Sequence, residues 1–328
     1  MVKPMTKRTT TKTFETANKV FLKELEHRVE ETTFRGYKTC ANCINALIGT
    51  KRIADLTHHD LDNFVNITLC EVTHSDNKLG YAKSTRKNIA SYINQLFAYF
   101  YAKEELKKNI CATKIKVIGG EDRSAVKTYS AQTTNTLKLS DTYLSLVALF
   151  IMSIGLRPSE AVALTESSVY RDDLGNIRLI INKAAPLSQI KGTKNKSSER
   201  IIVLSPLSVD FLNRLLVKQG RSLEYALTSM STEQTLFTNP HTGGRLIGTK
   251  QLYTYLAKEF ARLELTYFGV KPCRHTFATR CATNGMPFED LAGYLGHSST
   301  KMVKELYINK DEFAHGQKHQ ACLSSIMN

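Results

Sequence analysis

The 328 residues carry 45 Lys and Arg against 30 Asp and Glu, a net charge of +15, and 42% of the side chains are hydrophobic. That length and apolar content suit a folded chain of two domains with substantial cores, and exclude a disordered or fibrous one. No run nears the roughly eighteen apolar residues that a membrane span needs.

The opening "MVKPMTKRTTTKT" lacks the apolar core of a secretory signal. With no export signal, seven scattered cysteines predict reduced thiols in a cytoplasmic protein. Residues 1–12 read as a flexible basic tail. Residues 13–115 read as helical. "FETANKVFLKELEHR" places Phe14, Ala17, Val20, Phe21 and Leu25 at three- and four-residue steps, and "TFRGYKTCANCINALIGT" repeats the pattern up to Gly49. In "LTHHDLDNFVNITL", Thr57 is an N-cap candidate and Asp60 completes a capping box. "KSTRKNIASYINQLFAYFYAKEEL" is a long helix with Ser84 or Thr85 near its start. Four helices therefore fill the first half.

"KVIGGEDRSAVKTYS", 116–130, mixes glycine with charge and reads as a linker. The second domain, 131–328, opens with helices over roughly 131–170; the apolar "YLSLVALFIMSIGL" at 143–156 is too short to span a membrane and reads as a buried helix. "NIRLIINKA" is strand-like, and "LSQIKGTKNKSSERIIVLS" predicts two strands around a basic turn. Helices resume near Pro206. The fold class is mainly α with one small antiparallel β-sheet, and no internal repeat is visible.

The charge favours a polyanionic partner, because neutralising phosphates releases condensed counterions. No basic amphipathic anchor stands out, so nucleic acid ranks above membrane. Four segments of the second half then share a theme. "GLRPSEAVAL" carries Arg157, "KGTKNKSSERIIVL" carries Lys194, "KPCRHTFATR" carries Lys271, Arg274 and His275, and "YLGHSSTKMVKELY" carries His297 and Tyr307. Two guanidinium forks can grip the non-bridging oxygens of a phosphodiester. A tyrosine hydroxyl can attack phosphorus to give a covalent phosphotyrosine, and a lysine on a turn can protonate the leaving oxygen. Such a centre calls for neither a metal nor a nucleotide cofactor.

Together these segments resemble the tyrosine recombinases, the phage integrase family, in wording and in order. The resemblance covers about 131–315, and the helical first half is more loosely similar to the family's SAM-like core-binding domain. It implies that Arg157 and Arg274 are the catalytic arginines, Lys194 the general acid, His297 a phosphate ligand and Tyr307 the nucleophile. Glu160 falls where the family often has an acidic residue supporting the first arginine. It implies, further, a homotetramer on duplex recombination sites, with an accessory or directionality protein as a further partner, and DNA contacts from Lys83, Ser84, Thr85, Arg86 and Lys87. No additional arm-binding domain is expected.

One position departs from the family wording. Lys271 stands where histidine is usual, and lysine is a poor base at neutral pH unless its pKa is lowered. His275 reads as structural, Arg280 as a surface or DNA-backbone residue, and "GTK" at 248–250 as a weaker backbone contact. Cys40 and Cys43 form a C-x2-C without a second pair and read as core rather than metal ligands. The tail after Tyr307 contains an amphipathic segment expected to dock on a neighbouring protomer. Two other functions fit the same residues: a type IB topoisomerase, and a DNA-binding regulator on a decayed recombinase scaffold.

Overall fold

The computed structural model describes residues 10–73, 79–120, 126–193, 198–228, 233–301 and 303–304. Lys194, Tyr307, the tail after it, residues 1–9 and residues 121–125 of the expected linker lie outside the described residues. The chain divides into two compact units, Met1–Ser124 and Ala125–Asn328.

The first unit is helical. α1 (Phe14–Leu25) starts where the Thr13 hydroxyl accepts from the Thr16 amide, and α2 (Glu31–Ile48) stops at Gly49. α3 (His58–Asn63) opens with a Thr57–Asp60 capping box and runs through a wide π turn, Phe64–Thr68, into α4 (Leu69–Glu71). α5 (Lys83–Ala102) closes the unit. Apolar residues at helical spacing bury one face of each long helix. Phe14 meets Phe97 edge-on, and the buried Tyr92 hydroxyl donates to Asn18 Oδ1 at 3.0 Å. Cys40 lies in this core.

Two expectations change here. Thr10–Lys12 is pinned rather than flexible: the Thr10 amide donates to Glu105 O, and Lys12 pairs with the Glu105 carboxylate. Ser84 and Thr85 lie in the first turn of α5, as expected. Both ends of the 116–130 stretch are built into their units. Val117 packs on the first core, while Tyr129 is 4% exposed in the second.

In the second unit, α6 (Ala131–Ser140) and α7 (Tyr143–Ile154) are capped by the Ser130 and Thr142 hydroxyls. α7 is buried on nearly every side, as its continuous apolar run requires. α8 (Pro158–Ala163) follows, then a 3-10 turn and β1 (Val169–Arg171), where a helix was expected. Three residues are too few to show a strand's alternation. β2 (Ile177–Ile181) lies between β1 and β5 (Arg200–Val203), antiparallel to both. Leu179 stands opposite both Val169 and Ile202 on the inward face. β3 (Lys183–Ala184) and β4 (Lys191–Gly192) form a separate short ladder. α9 (Pro206–Val217), α10 (Leu223–Thr228), α11 (Gly248–Arg262), α12 (Lys271–Thr283) and α13 (Phe288–Leu295) complete the unit. α6, α9, α11 and α12 pack around α7.

Candidate active site

The centre forms where the end of α7, the start of α8, α12 and the end of α13 meet. Gly155 ends α7 with φ +69°, a left-handed conformation that glycine adopts without strain. Two residues on, Arg157 is the N-cap of α8, and Pro158 sets the first turn. Glu160, 1% exposed, reaches back to that cap. Its Oε2 accepts from the Arg157 amide at 2.8 Å, and its Oε1 accepts from Arg157 Nη1 at 2.6 Å. The other Arg157 nitrogen, Nη2, donates to Gly296 O at 2.6 Å. Gly296 itself ends α13 at φ +67°, so two left-handed helix caps present carbonyls to the site.

Arg274 sits one turn into α12, and its residue is 5% exposed. Nη1 donates to Gly155 O at 2.8 Å, and Nη2 to Leu295 O at 2.7 Å. These carbonyls orient the guanidinium without neutralising it. Burial first, and then Arg157, push its pKa down to about 9, so it remains charged at neutral pH. Arg274 Nη2 also lies 2.8 Å from His297 Nε2. A guanidinium has no lone pair to offer, so Nε2 accepts and the His297 proton resides on Nδ1. That Nδ1 is buried and has no hydrogen-bond partner among the described residues. Burial, then Arg274 and Arg157, push His297 down to about 4 and keep the ring neutral.

A third arginine completes the cluster. Arg200 begins β5 with a side chain 7% exposed, and its Nη1 and Nη2 each donate to Glu160 at 3.0 Å. Arg274 Nη1 is 3.9 Å from the same carboxylate. Among the described residues one carboxylate thus faces three guanidiniums, leaving two positive charges beside a histidine N–H without an acceptor. Chemically this is an anion site built to bind a group bearing several oxygens.

The structure therefore brings Arg157, Arg274 and His297 together. Lys271 is the exposed first residue of α12, one turn before Arg274. His275 is half-buried, pushed down to about 4 by burial and then by Lys271 and Arg274. Arg280 is exposed and donates to Thr134 Oγ1 at 2.7 Å. Phe277 stacks on Tyr294, with Ala278 beneath in the small α12–α13 core.

In the other unit, Lys83, Ser84, Thr85 and Lys87 are exposed or partly so. Arg86, expected among the DNA contacts, is corrected: it is 2% exposed and donates to the carbonyls of Ile118 and Gly119 at 3.0 Å. It holds the chain leaving the first unit. Its place was legible, since Arg86 falls on the stripe of Ile89, Ile93, Leu96 and Phe100. Arg200 was missed as well. Its signal is the alternation of β5, which puts it on the same face as the buried Ile202.

Comparison with known proteins bears on the chain as a whole. The model of the phage integrase family matches residues 125–313, and that of the phage integrase N-terminal SAM-like domain matches 13–69. The chain belongs to the phage integrase family. The family's two-domain pattern, a SAM-like helical unit followed by an integrase unit, is therefore the fold class of this protein. It is also similar to a XerC-like tyrosine recombinase of Caldanaerobacter subterraneus subsp. tengcongensis, 25% identical over 70% of this chain and 63% of that one. The chain thus spans just under two thirds of that relative's length. Among solved structures, the integrase of transposon Tn1549 with a circular intermediate DNA superposes with a TM-score of 0.70 at 18% identity, covering 95% of this chain and 99% of that one. A lambda integrase dimer bound to a COC′ core site gives 0.65 at 14% identity, covering 93% and 79%. At such identities these likenesses speak for the fold. No helix among the described residues is long and apolar enough to cross a membrane.

Proposed function

We propose that the protein is a site-specific tyrosine recombinase that cuts and rejoins DNA for a mobile element. The carrying observation is the convergence of Arg157, Arg274 and His297 on one net-positive site in a member of the integrase family. In this reading the two guanidiniums grip the non-bridging oxygens of the scissile phosphate, and His297 Nδ1–H donates to the same group. Tyr307 gives up its phenolic proton to solvent, its Oη forms a bond to phosphorus as the bond to the 5′-oxygen breaks, and Lys194 protonates that oxygen. A 3′-phosphotyrosine and a free 5′-hydroxyl result. The hydroxyl then attacks the phosphotyrosine of a partner duplex, and a second round resolves the Holliday junction. Lys271, one turn before Arg274, contacts the phosphate as a cation.

The remaining assignments follow from the same reading. The helical unit, 13–115, is a core-binding domain that meets DNA through Lys83, Ser84, Thr85 and Lys87. Residues 131–328 are the catalytic domain. Four protomers act on two sites in the cytoplasm, with an accessory or directionality protein as a further partner. The solved lambda integrase tetramer on a Holliday junction is the precedent for that assembly. Topoisomerase and regulator functions are not favoured.

The test is a covalent trap. The protein is mixed with fragmented DNA from its own genome in EDTA without ATP, and denatured adducts are recovered and sequenced beside Tyr307→Phe. Adducts at a discrete site, lost in the variant, are expected. Scattered adducts point to a topoisomerase. Specific retention of DNA with no adduct points to a regulator.

A further inference from the structure

Arg200 has no part in the chemistry above, yet it makes the most regular contact in the centre. Glu160 Oε1 receives Arg157 Nη1 and Arg200 Nη1, while Oε2 receives the Arg157 amide and Arg200 Nη2. The paired bonds from Arg200 set the plane of the carboxylate, as only a guanidinium fork does. Arg157 is then aimed by one bond to that plane and one to Gly296 O. Arg200 also donates from Nη1 to Ser198 O at 3.0 Å, which ties the start of β5 to the pair. Its side chain is 7% exposed, and both terminal nitrogens bind Glu160, while Nε has no partner among the described residues.

We propose that Arg200 is a positioning residue for phosphate capture: by locking the Glu160 carboxylate it fixes the direction of Arg157 and leaves two positive charges uncompensated among the described residues. This rests on the phosphodiester reading above and deepens it. Misaiming a catalytic cation by about 1 Å costs on the order of a hundredfold in rate, so the lock bears on the chemical step more than on DNA affinity.

A purely structural ion pair would show a different pH dependence. Burial pushes the Glu160 carboxyl up, and the bonds from Arg200, followed by Arg157, bring it below its ordinary value. Without Arg200, burial loses its largest opponent, and Glu160 takes up a proton at higher pH. A neutral Glu160 no longer holds Arg157 by charge. Cleavage by an Arg200→Gln protein therefore falls on the acid side and recovers as pH rises.

The experiment uses full-length protein and a duplex oligonucleotide carrying the cleavage site recovered by the covalent trap. Single-turnover adduct formation is followed from about pH 5.5 to 8.5 for wild type, Arg200→Gln and Arg200→Lys, with thermal unfolding and DNA retention alongside. Arg200→Gln is expected to be slower by roughly ten- to a hundredfold near pH 6, with a smaller deficit at the alkaline end and DNA retention unchanged. Arg200→Lys keeps the charge but loses the fork, so it is expected to be slowed at every pH with the wild-type profile. Rates that only track the folded fraction, with no change of profile in Arg200→Gln, overturn the inference. If Arg200→Gln does not fold, Arg200→Lys decides, and a wild-type rate there overturns it. Wild type that forms no adduct brings down the parent reading and this one with it; wild type that cleaves beside an equally fast Arg200→Gln brings down this one alone.

Discussion

The Glu160 carboxylate meets Arg157 at 2.6 Å, Arg200 at 3.0 Å and Arg274 at 3.9 Å. Buried carboxylates persist only when paired and hydrogen-bonded, and the surplus charge here is the property that an anion would satisfy. Gly155 supports the same cluster from the backbone. Its carbonyl orients Arg274, and a Cβ there would lie 2.6 Å from Phe277 Cδ1 and 2.9 Å from Leu295 Cδ2. Gly155→Ala combines left-handed strain with overpacking, and is expected to cost about 2–5 kcal/mol of stability. Urea unfolding checks this, and an unchanged midpoint would refute it. His275 and His297 set a pH dependence. Burial pushes both down to about 4, against roughly 6.5 in the unfolded chain. Between those values the unfolded state binds more protons, so stability falls as pH drops through that window. Glu160, held below its usual range, acts in the same direction. The thermal midpoint is expected to drop from pH 6.5 toward 4, and His275→Gln to flatten that slope.

Two helices carry the same lesson. α5 presents a basic start, but only some of its cations face outward. Arg86→Met leaves the Ile118 and Gly119 carbonyls without their donor, and is expected to cost about 1–3 kcal/mol while leaving the salt dependence of DNA binding unchanged. Lys87→Ala is expected to reverse this: stability within about 0.5 kcal/mol, and a slope of log affinity against log salt shallower by about one. Calorimetry and salt titration of both variants check the pair, and equal salt slopes would count against DNA contact by α5. α12 has a similar arrangement. It buries Arg274 and exposes Lys271 and Arg280, so one of its charges lies on the buried face, and apolar periodicity alone could not orient it.

The two units hold separate hydrophobic cores: one built from α1, α2 and α5, the other centred on α7, with a small α12–α13 cluster in the same unit. Each therefore meets the condition for folding alone. A fragment covering 126–328 is expected to unfold cooperatively by itself, as followed by circular dichroism; a fragment without a transition would show that its core depends on the first unit. The charge of +15 also sets an expectation for the intact protein. Its DNA affinity should fall steeply as salt rises, linearly in log–log form.

Much of this was readable from the residues. Helical periodicity marked α1, α2 and α5, the Thr57–Asp60 pair marked the start of α3, and β-branched runs marked β2 and β5. The order of "GLRPSE", "RHTFAT" and "LGHSS" marked Arg157, Arg274 and His297 as one candidate site, and the fold brings the three together. Distances through space were not readable. Arg200 lies forty positions from Glu160 and Gly296 lies 139 from Arg157, so no local pattern links them. Arg86 and Lys87 are adjacent cations in the sequence; one is sealed under backbone carbonyls and the other faces outward. Residue type specifies which contacts a side chain is able to make, whereas burial and partner geometry, which arise only when distant segments pack, select the contact it makes.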